Sequence, residues 1–149
     1  MSRIENLSKS FTLHNQGGTV IQNGGTVTVS GALDLARNPG SAGSYELNAG
    51  TLHAGILAVG GGAQGVFLQA GGAATVDTLL AVTANSTGTL SGGQLTAECI
   101  RVGDEFGVTG ATLDLAGASL IFDTMEIYPL GRVNVTAGSW LVKGAAYLY

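Results

Sequence analysis

The sequence predicts an all-β, single-domain parallel β-solenoid of about six coils of about 22 residues each. Three observations predict this fold. Apolar residues alternate with a period of two, 25 of the 149 residues are glycine, and the glycine-led pattern recurs every 21 to 25 residues. Strands this short and this closely spaced cannot form ordinary hairpins, but they can be the sides of a coil that pairs with the next coil. Because parallel crossovers are right-handed in almost all proteins, we expect a right-handed β-helix.

One glycine in each repeat precedes an alternating segment and serves as its anchor. The anchors are Gly25, Gly50, Gly72, Gly93, Gly117 and Gly138. Glycine adopts positive φ angles easily, so we expect the anchors to form tight corners between the sides of a coil. The stretch GGTVTVSGALDLA, residues 24–36, is then a corner, a side, a second corner and a second side.

Two apolar pairs in each repeat predict the residues that face the core. The first pair lies two and four residues after the anchor, and Ser119 is its one polar member. The second pair lies seven to ten residues after the anchor: Leu33 and Leu35, Leu57 and Val59, Leu80 and Val82, Ile100 and Val102, Met125 and Ile127, Ala146 and Leu148. A third alternation, such as Tyr45 and Leu47, precedes several anchors. We therefore expect three strands per coil and one core column that runs from Leu57 to Met125.

Composition excludes several classes of protein. The net charge is −4 and only 11% of the residues are charged, which argues against a nucleic-acid partner. The single cysteine, Cys99, cannot form an intrachain disulfide, and we expect it to be a small buried hydrophobe. No apolar run is long enough to insert into a membrane, and the N-terminus MSRIENLSKS lacks a secretory segment. As written, the chain would stay in the cytoplasm.

The repeats share phrases such as NGGTVTVSGALDLARNPGSAGSYELNAGTL, LQAGGAATV and GRVNVTAGSW. In these phrases residues 17–149 resemble the glycine-rich, autotransporter-type passenger repeats of bacterial surface proteins. The resemblance implies a non-catalytic stalk or adhesin-like rod, located outside the cell or on its surface, with a surface polysaccharide or a host molecule as its ligand. It also implies that the chain is a fragment, because the export signal and membrane anchor of the family do not appear in it.

The N-terminal stretch SRIENLSKSFTLHNQGG has a different character. Residues 1–20 resemble the first strand of a transporter-type ATPase subunit of the phosphonate-utilisation kind, in which an aromatic at the position of Phe11 stacks on adenine. No phosphate-binding loop of the G-x-x-x-x-G-K-[ST] type follows, so we expect no nucleotide or other cofactor. The chain then divides into an N-terminal cap or foreign leader at residues 1–18 and solenoid repeats at residues 19–149.

Acidic residues suggest an alternative function. Asp77 and Glu98 have the same offset from their anchors, and Asp123 lies one place further on. Stacked carboxylates about 5 Å apart match the spacing of a retaining glycosidase, so a carbohydrate-active lyase or hydrolase using Asp77 and Glu98 is the alternative to a structural segment. A row of solvated surface charges has the same spacing, so the spacing does not by itself indicate an enzyme. The structural function is therefore favoured over the enzymatic one. His14 and His53 lie far apart in the repeat, so we expect no metal site.

Two lesser alternatives are an ice-binding and a DNA-mimicking solenoid. Thr26 and Thr28 resemble the start of an ice-binding threonine ladder, but the equivalent positions in the next coils include His53 and Ala73. Ten acidic residues are few for a DNA mimic.

The last repeat ends in GAAYLY, without a polar capping segment. Solenoids cover their ends because open strand edges pair with other chains. We therefore expect self-association through this coil, with Tyr147, Leu148 and Tyr149 in the contact.

Overall fold

A computed structural model describes residues 11–12 and 18–149, and in this part of the chain all regular structure is strand. The strands are β1 (Phe11–Thr12), β2 (Gly18–Leu35), β3 (Gly43–Val59), β4 (Gly65–Gln69), β5 (Ala73–Val82), β6 (Ser86–Leu90), β7 (Gln94–Val102), β8 (Ala111–Ile127) and β9 (Gly131–Leu148). They form one sheet in which neighbouring strands are parallel. The protein is a β-solenoid of about six turns, which confirms the predicted fold class.

Each coil has three sides, which in the first coil are residues 18–22, 26–29 and 32–35. We call them the first, second and third sides. In most coils one long strand follows all three sides through the corners, as β2 does, with irregularities in pairing register where it bends. Two coils are interrupted by a turn between the first and second sides, so that one is divided into β4 and β5 and the next into β6 and β7. Each coil therefore has three strand segments, as the sequence predicts, although the segments of one coil often join into a single long strand.

One hydrophobic core runs through the stack. On the third side Leu57 pairs with Leu80, Leu80 with Ile100, and Ile100 with Met125. These four side chains are at most 1% exposed, which confirms the predicted column. Burial of each stabilises the fold by about 2 kcal/mol, since alternation along the strand turns every second side chain away from water.

Two inward assignments from the sequence are wrong. In the fifth coil Ser119 and Ile121 pair with Gln94 and Thr96 on the outer face. Leu120 and Phe122, both at 0% exposure, face the core instead. The reason is that Ala118, not Gly117, occupies the position that Gly93 holds in the preceding coil. A shift of one residue exchanges the two faces of a strand.

Glycines at the corners allow the coils to approach closely. Gly25, Gly50, Gly72 and Gly93 have φ angles of 69°, 90°, 71° and 76°, which confirms the role predicted for these anchors. A Cβ atom on Gly50 would overlap the carbonyl oxygen of Gly25 in the coil beside it. Backbone therefore packs on backbone at these corners, and no side chain fits between them.

Two glutamines occupy inward positions at the end of the first side. Gln22 donates from Nε2 to the carbonyl oxygen of Thr51 at 2.9 Å, and its Oε1 accepts a hydrogen bond of 2.6 Å from the Tyr45 hydroxyl. Two coils later, Gln69 donates in the same way to the carbonyl oxygen of Gln94 at 2.9 Å. Its Oε1 is buried without a partner in the described residues, because Gly88 occupies the place that Tyr45 has above Gln22.

Burial of Tyr45 makes the stability of the fold sensitive to alkaline pH. The side chain is 2% exposed, and burial raises the pKa of its hydroxyl far above the usual value of about 10. The unfolded chain loses this proton at lower pH than the folded one, so the stabilisation is complete below about pH 10 and is lost above it. We expect the free energy of unfolding in urea to fall by up to about 1.4 kcal/mol per pH unit above about pH 10.

The matched variant for this measurement is Tyr45→Phe. At neutral pH it should be less stable than wild type by about 1 kcal/mol, because it loses the hydrogen bond to Gln22. Above about pH 10 the difference should shrink, since phenylalanine has no proton to lose. Equal alkaline slopes for the two proteins would show that Tyr45 is not the titrating group.

The predicted N-terminal segment, residues 1–18, lies almost wholly outside the described residues. The exceptions are Gly18, which begins β2, and the backbone of β1, which pairs Phe11 with Leu33 and Thr12 with Asp34. The contact of an aromatic at Phe11 with adenine, which the ATPase resemblance implies, falls outside what the structure describes.

Candidate functional site

The predicted carboxylates do meet on one surface. Asp77, Glu98 and Asp123 lie at the corner between the second and third sides of successive coils, where they line an open groove with Thr75 and Thr96. We call these three carboxylates the acidic corner. Coils repeat at roughly 4.8 Å, so neighbouring members stand one strand spacing apart. The corner forms because each coil leaves one or two residues to turn between sides, and an exposed turn accepts a charged side chain.

Each end of the acidic corner is paired with a basic group. His53 of the second coil lies with Nε2 2.7 Å from Asp77 Oδ1, and Lys143 of the sixth coil lies with Nζ 3.8 Å from Asp123 Oδ1. From the sequence we noted only that His53 lies far from His14, and did not connect it with Asp77. His53 pairs with Thr75, two residues before Asp77, and the two side chains meet across adjacent coils.

The geometry of the acidic corner suits hydrogen bonding better than acid–base catalysis. The Asp77 side chain is 54% exposed and that of Asp123 is 53% exposed. A general acid needs a carboxyl group shielded from water, so that its neutral form persists near neutral pH. The groove does offer carboxylates beside threonine hydroxyls, which is a chemistry that binds polyhydroxylated ligands through hydrogen bonds. Within the described residues no three His, Cys, Asp or Glu side chains are grouped to hold a metal ion.

Threonines form an interrupted row on the second side. The structure pairs Thr28 with His53, His53 with Thr75 and Thr75 with Thr96, as the repeat predicts. The row that begins at Thr26 reaches Ala73 within two coils. A regular flat array of hydroxyls is therefore absent from this side in the described coils.

A second cluster of functional groups lies on the third side, and sequence reasoning missed it. The Arg101 guanidinium donates to Glu126 Oε2 from Nε at 2.9 Å and from Nη2 at 2.8 Å. It also lies 5.4 Å from the centre of the Tyr128 ring, and Tyr149 stacks on Tyr128 with ring centres 4.9 Å apart. Arg101, Tyr128 and Tyr149 belong to three successive coils and form what we call the arginine–tyrosine ladder. Tyr128 and Tyr149 have the same offset from their anchors, but that of Arg101 is different, so spacing alone did not connect Arg101 with the two tyrosines.

Cys99 faces outward in the same region and is only half-buried, so the prediction that it is a small buried hydrophobe is wrong. It follows Glu98 in the sequence and pairs with Thr124 of the next coil, outside the core. Burial raises the pKa of the Cys99 thiol, and the charge of Glu126 acts in the same direction. A raised pKa favours the protonated thiol, which is a poorer nucleophile than the thiolate.

Several apolar side chains of β9 are exposed, as is that of Tyr149, which follows it. Trp140 is 46% exposed, Leu148 79% and Tyr149 64%, although their neighbours in the fifth coil include the fully buried Leu120.

No helix in the described part of the chain has the length and apolar character to cross a membrane. Comparison of the chain with protein-family models, with curated proteins and with solved structures finds no match.

Proposed function

We propose that this chain is a non-catalytic structural or adhesive segment of a bacterial surface or secreted protein. The observation that supports this most is the unbroken core, since inward residues stay in register from Leu57 through Met125. In a solenoid each coil contacts only its neighbours, so a continuous core produces a stiff rod. Six coils of roughly 4.8 Å correspond to about 29 Å of rod.

The outer surface supports an adhesive role for such a rod. Short polar side chains bond from coil to coil along it: Ser44 donates to Thr19 at 2.9 Å and Asn48 to Asn23 at 2.9 Å. These contacts fix hydroxyl and amide groups in pairs between the first and second coils. Fixed hydrogen-bonding groups suit a hydroxyl-rich ligand such as a surface polysaccharide, or an extended host molecule.

A carbohydrate-active enzyme is the alternative function, and the acidic corner is the observation that favours it. Asp77 and Glu98 line the same groove in adjacent coils, as two catalytic carboxylates would. Exposure of Asp77 to water weighs against this role.

Incubation with a panel of neutral and uronate polysaccharides decides between the two functions. Binding should be measured by calorimetry, and cleavage by new reducing ends and by the absorbance of unsaturated uronates. We expect binding without turnover, because the acidic corner lacks a shielded proton donor.

Asp77→Asn and Glu98→Gln are the informative variants, and Asp114→Asn is their matched control. Asp114 also faces outward and accepts a hydrogen bond of 2.6 Å from Asn134, but it lies outside the groove. Robust turnover that disappears in Asp77→Asn and persists in Asp114→Asn would contradict the structural function and support the enzymatic one.

A further inference from the structure

The motif Asn-x-Ser/Thr occurs three times in the chain, at Asn6, Asn85 and Asn134. This motif is the acceptor of N-linked glycosylation, in which a sugar is joined to the amide nitrogen of the asparagine and the hydroxyl two residues later is recognised with it. Asn6 lies outside the described residues. The other two motifs can be compared directly, because the structure shows the surroundings of both amides and both hydroxyls.

Asn85 lies in the short turn that joins the third coil to the fourth. The N–H of Ser86 donates to the carbonyl oxygen of Thr83 at 3.0 Å, and Ala84 and Asn85 between them have φ angles of 53° and 58°. Asparagine tolerates this left-handed backbone better than most residues do. The side chain of Asn85 is exposed, so the turn presents it to other molecules.

Hydrogen bonding leaves the amide nitrogen of Asn85 free. Its Oδ1 accepts a hydrogen bond of 3.1 Å from the N–H of Gly110, which precedes β8 in the fifth coil. A backbone N–H can only donate, so the atom that faces Gly110 must be the oxygen, and Nδ2 points away from it. Nδ2 has no partner among the described residues. The nitrogen that would receive a sugar is therefore held toward solvent by the hydrogen bond of its own oxygen.

Thr87, which supplies the hydroxyl of this motif, faces the same way as Asn85. Ser86 between them is 1% exposed, and its hydroxyl accepts a hydrogen bond of 2.8 Å from the N–H of Gly65, so it faces the core. Side chains alternate along a strand, and Thr87 therefore faces outward. Asn85 and Thr87 line one open groove, whose single charged lining residue in the described coils is Arg132. The groove thus presents amide and hydroxyl together, without a carboxylate to repel the phosphates of a sugar donor.

The motif at Asn134 lacks this freedom. Asn134 lies in β9, where its Nδ2 donates to Asp114 Oδ1 at 2.6 Å. The hydroxyl of Thr136 donates to the carbonyl oxygen of Leu115 at 3.4 Å. Both groups that the motif supplies are therefore bonded to the fifth coil, and transfer to Asn134 in the folded protein would have to break both hydrogen bonds beside a negative charge.

We propose that Asn85 is an acceptor site for N-linked glycosylation, and that the folded protein takes a sugar from a glycosyl diphosphate at Asn85 but not at Asn134. In this transfer a bond forms between Asn85 Nδ2 and C1 of the sugar. The bond between C1 and the diphosphate oxygen breaks, the diphosphate leaves with the electron pair, and the proton of Nδ2 goes to a base of the transferase. The inference goes beyond the proposed function and does not depend on it, because Asn85 is exposed whatever the rod binds.

The full chain with Asn6→Gln is the substrate for the test, so that any gain in mass arises from Asn85 or Asn134. One reaction contains UDP-glucose and a soluble N-glucosyltransferase, and the other contains a lipid-linked oligosaccharide and a membrane oligosaccharyltransferase. Intact mass and tandem mass spectrometry show how many sugars are added and to which asparagine. We expect modification of Asn85 alone, and the reaction that gives it identifies whether a nucleotide or a lipid carries the sugar.

Asn85→Asp and Thr87→Val are the matched variants. Aspartate keeps an oxygen that accepts from the N–H of Gly110 but has no amide nitrogen, and valine keeps the β-branched shape of threonine without its hydroxyl. Both variants should fold and gain no sugar, whereas Thr87→Ser should still gain it. Ile100→Asp, which should unfold because it buries a charge, frees both motifs and should be modified at Asn134 as well.

Folded protein that gains no sugar at Asn85 in either reaction would overturn the proposal. Equal modification of Asn85 and Asn134 in the folded chain would do the same, because hydrogen bonding would then not decide which motif reacts. The polysaccharide assay uses unmodified protein, so neither result affects the test of the proposed function.

Discussion

Replacement of Ile100 by aspartate should unfold the protein. Ile100 is 0% exposed and lies between Leu80 and Met125 in the core column of the third side. A carboxylate there loses its hydration and finds no basic partner among the inward residues, which costs several kcal/mol. Since small domains are stable by only about 5–15 kcal/mol, we expect no cooperative thermal transition by circular dichroism.

Two further variants make this result interpretable. Ile100→Ala should remain folded but be less stable by about 2–4 kcal/mol, because it leaves a cavity without burying a charge. Gln94→Asp adds the same carboxylate to an exposed, outward position of the same strand and should melt like wild type. Wild-type melting of Ile100→Asp would mean that the side chain does not face the core.

The Gly50→Ala variant should lower stability by about 3 kcal/mol or more, a fall in Tm of about 10 °C. Gly50 has a φ of 90°, and an added Cβ would overlap the carbonyl oxygen of Gly25. Both obstacles are backbone, so relief requires the two coils to separate at that corner and weakens the pairing on both sides of it.

Gly40→Ala is the matched control for this experiment. Gly40 has a φ of 78°, but an added Cβ would meet no atom within 4 Å. This variant should therefore cost only the strain of a left-handed alanine, about 1 kcal/mol. Equal unfolding free energies for the two variants, measured in urea, would show that close approach of the coils contributes nothing at Gly50.

Much of the candidate site could be located from the repeat. Equal offsets from the anchors placed Asp77 and Glu98 at one corner, and the structure shows both lining one groove. The pairing of His53 with Asp77 could not be found in this way, because it joins different positions of the repeat in adjacent coils. The contact of Arg101 with Tyr128 was missed for the same reason, whereas Tyr128 and Tyr149 occupy one position of the repeat.

The sequence by itself determined the solenoid, the number of coils and nearly every core column. It could do so because a period of two decides which side chains face inward, and a glycine that must adopt a positive φ marks each corner. Only the tertiary structure decided which residue follows the corner of the fifth coil, where alanine takes the place of the glycine and Leu120 replaces Ser119 in the core. It also decided which charges meet, because parallel pairing brings together residues that lie a full coil apart in sequence, and the register of that pairing is set by the packing of the whole core.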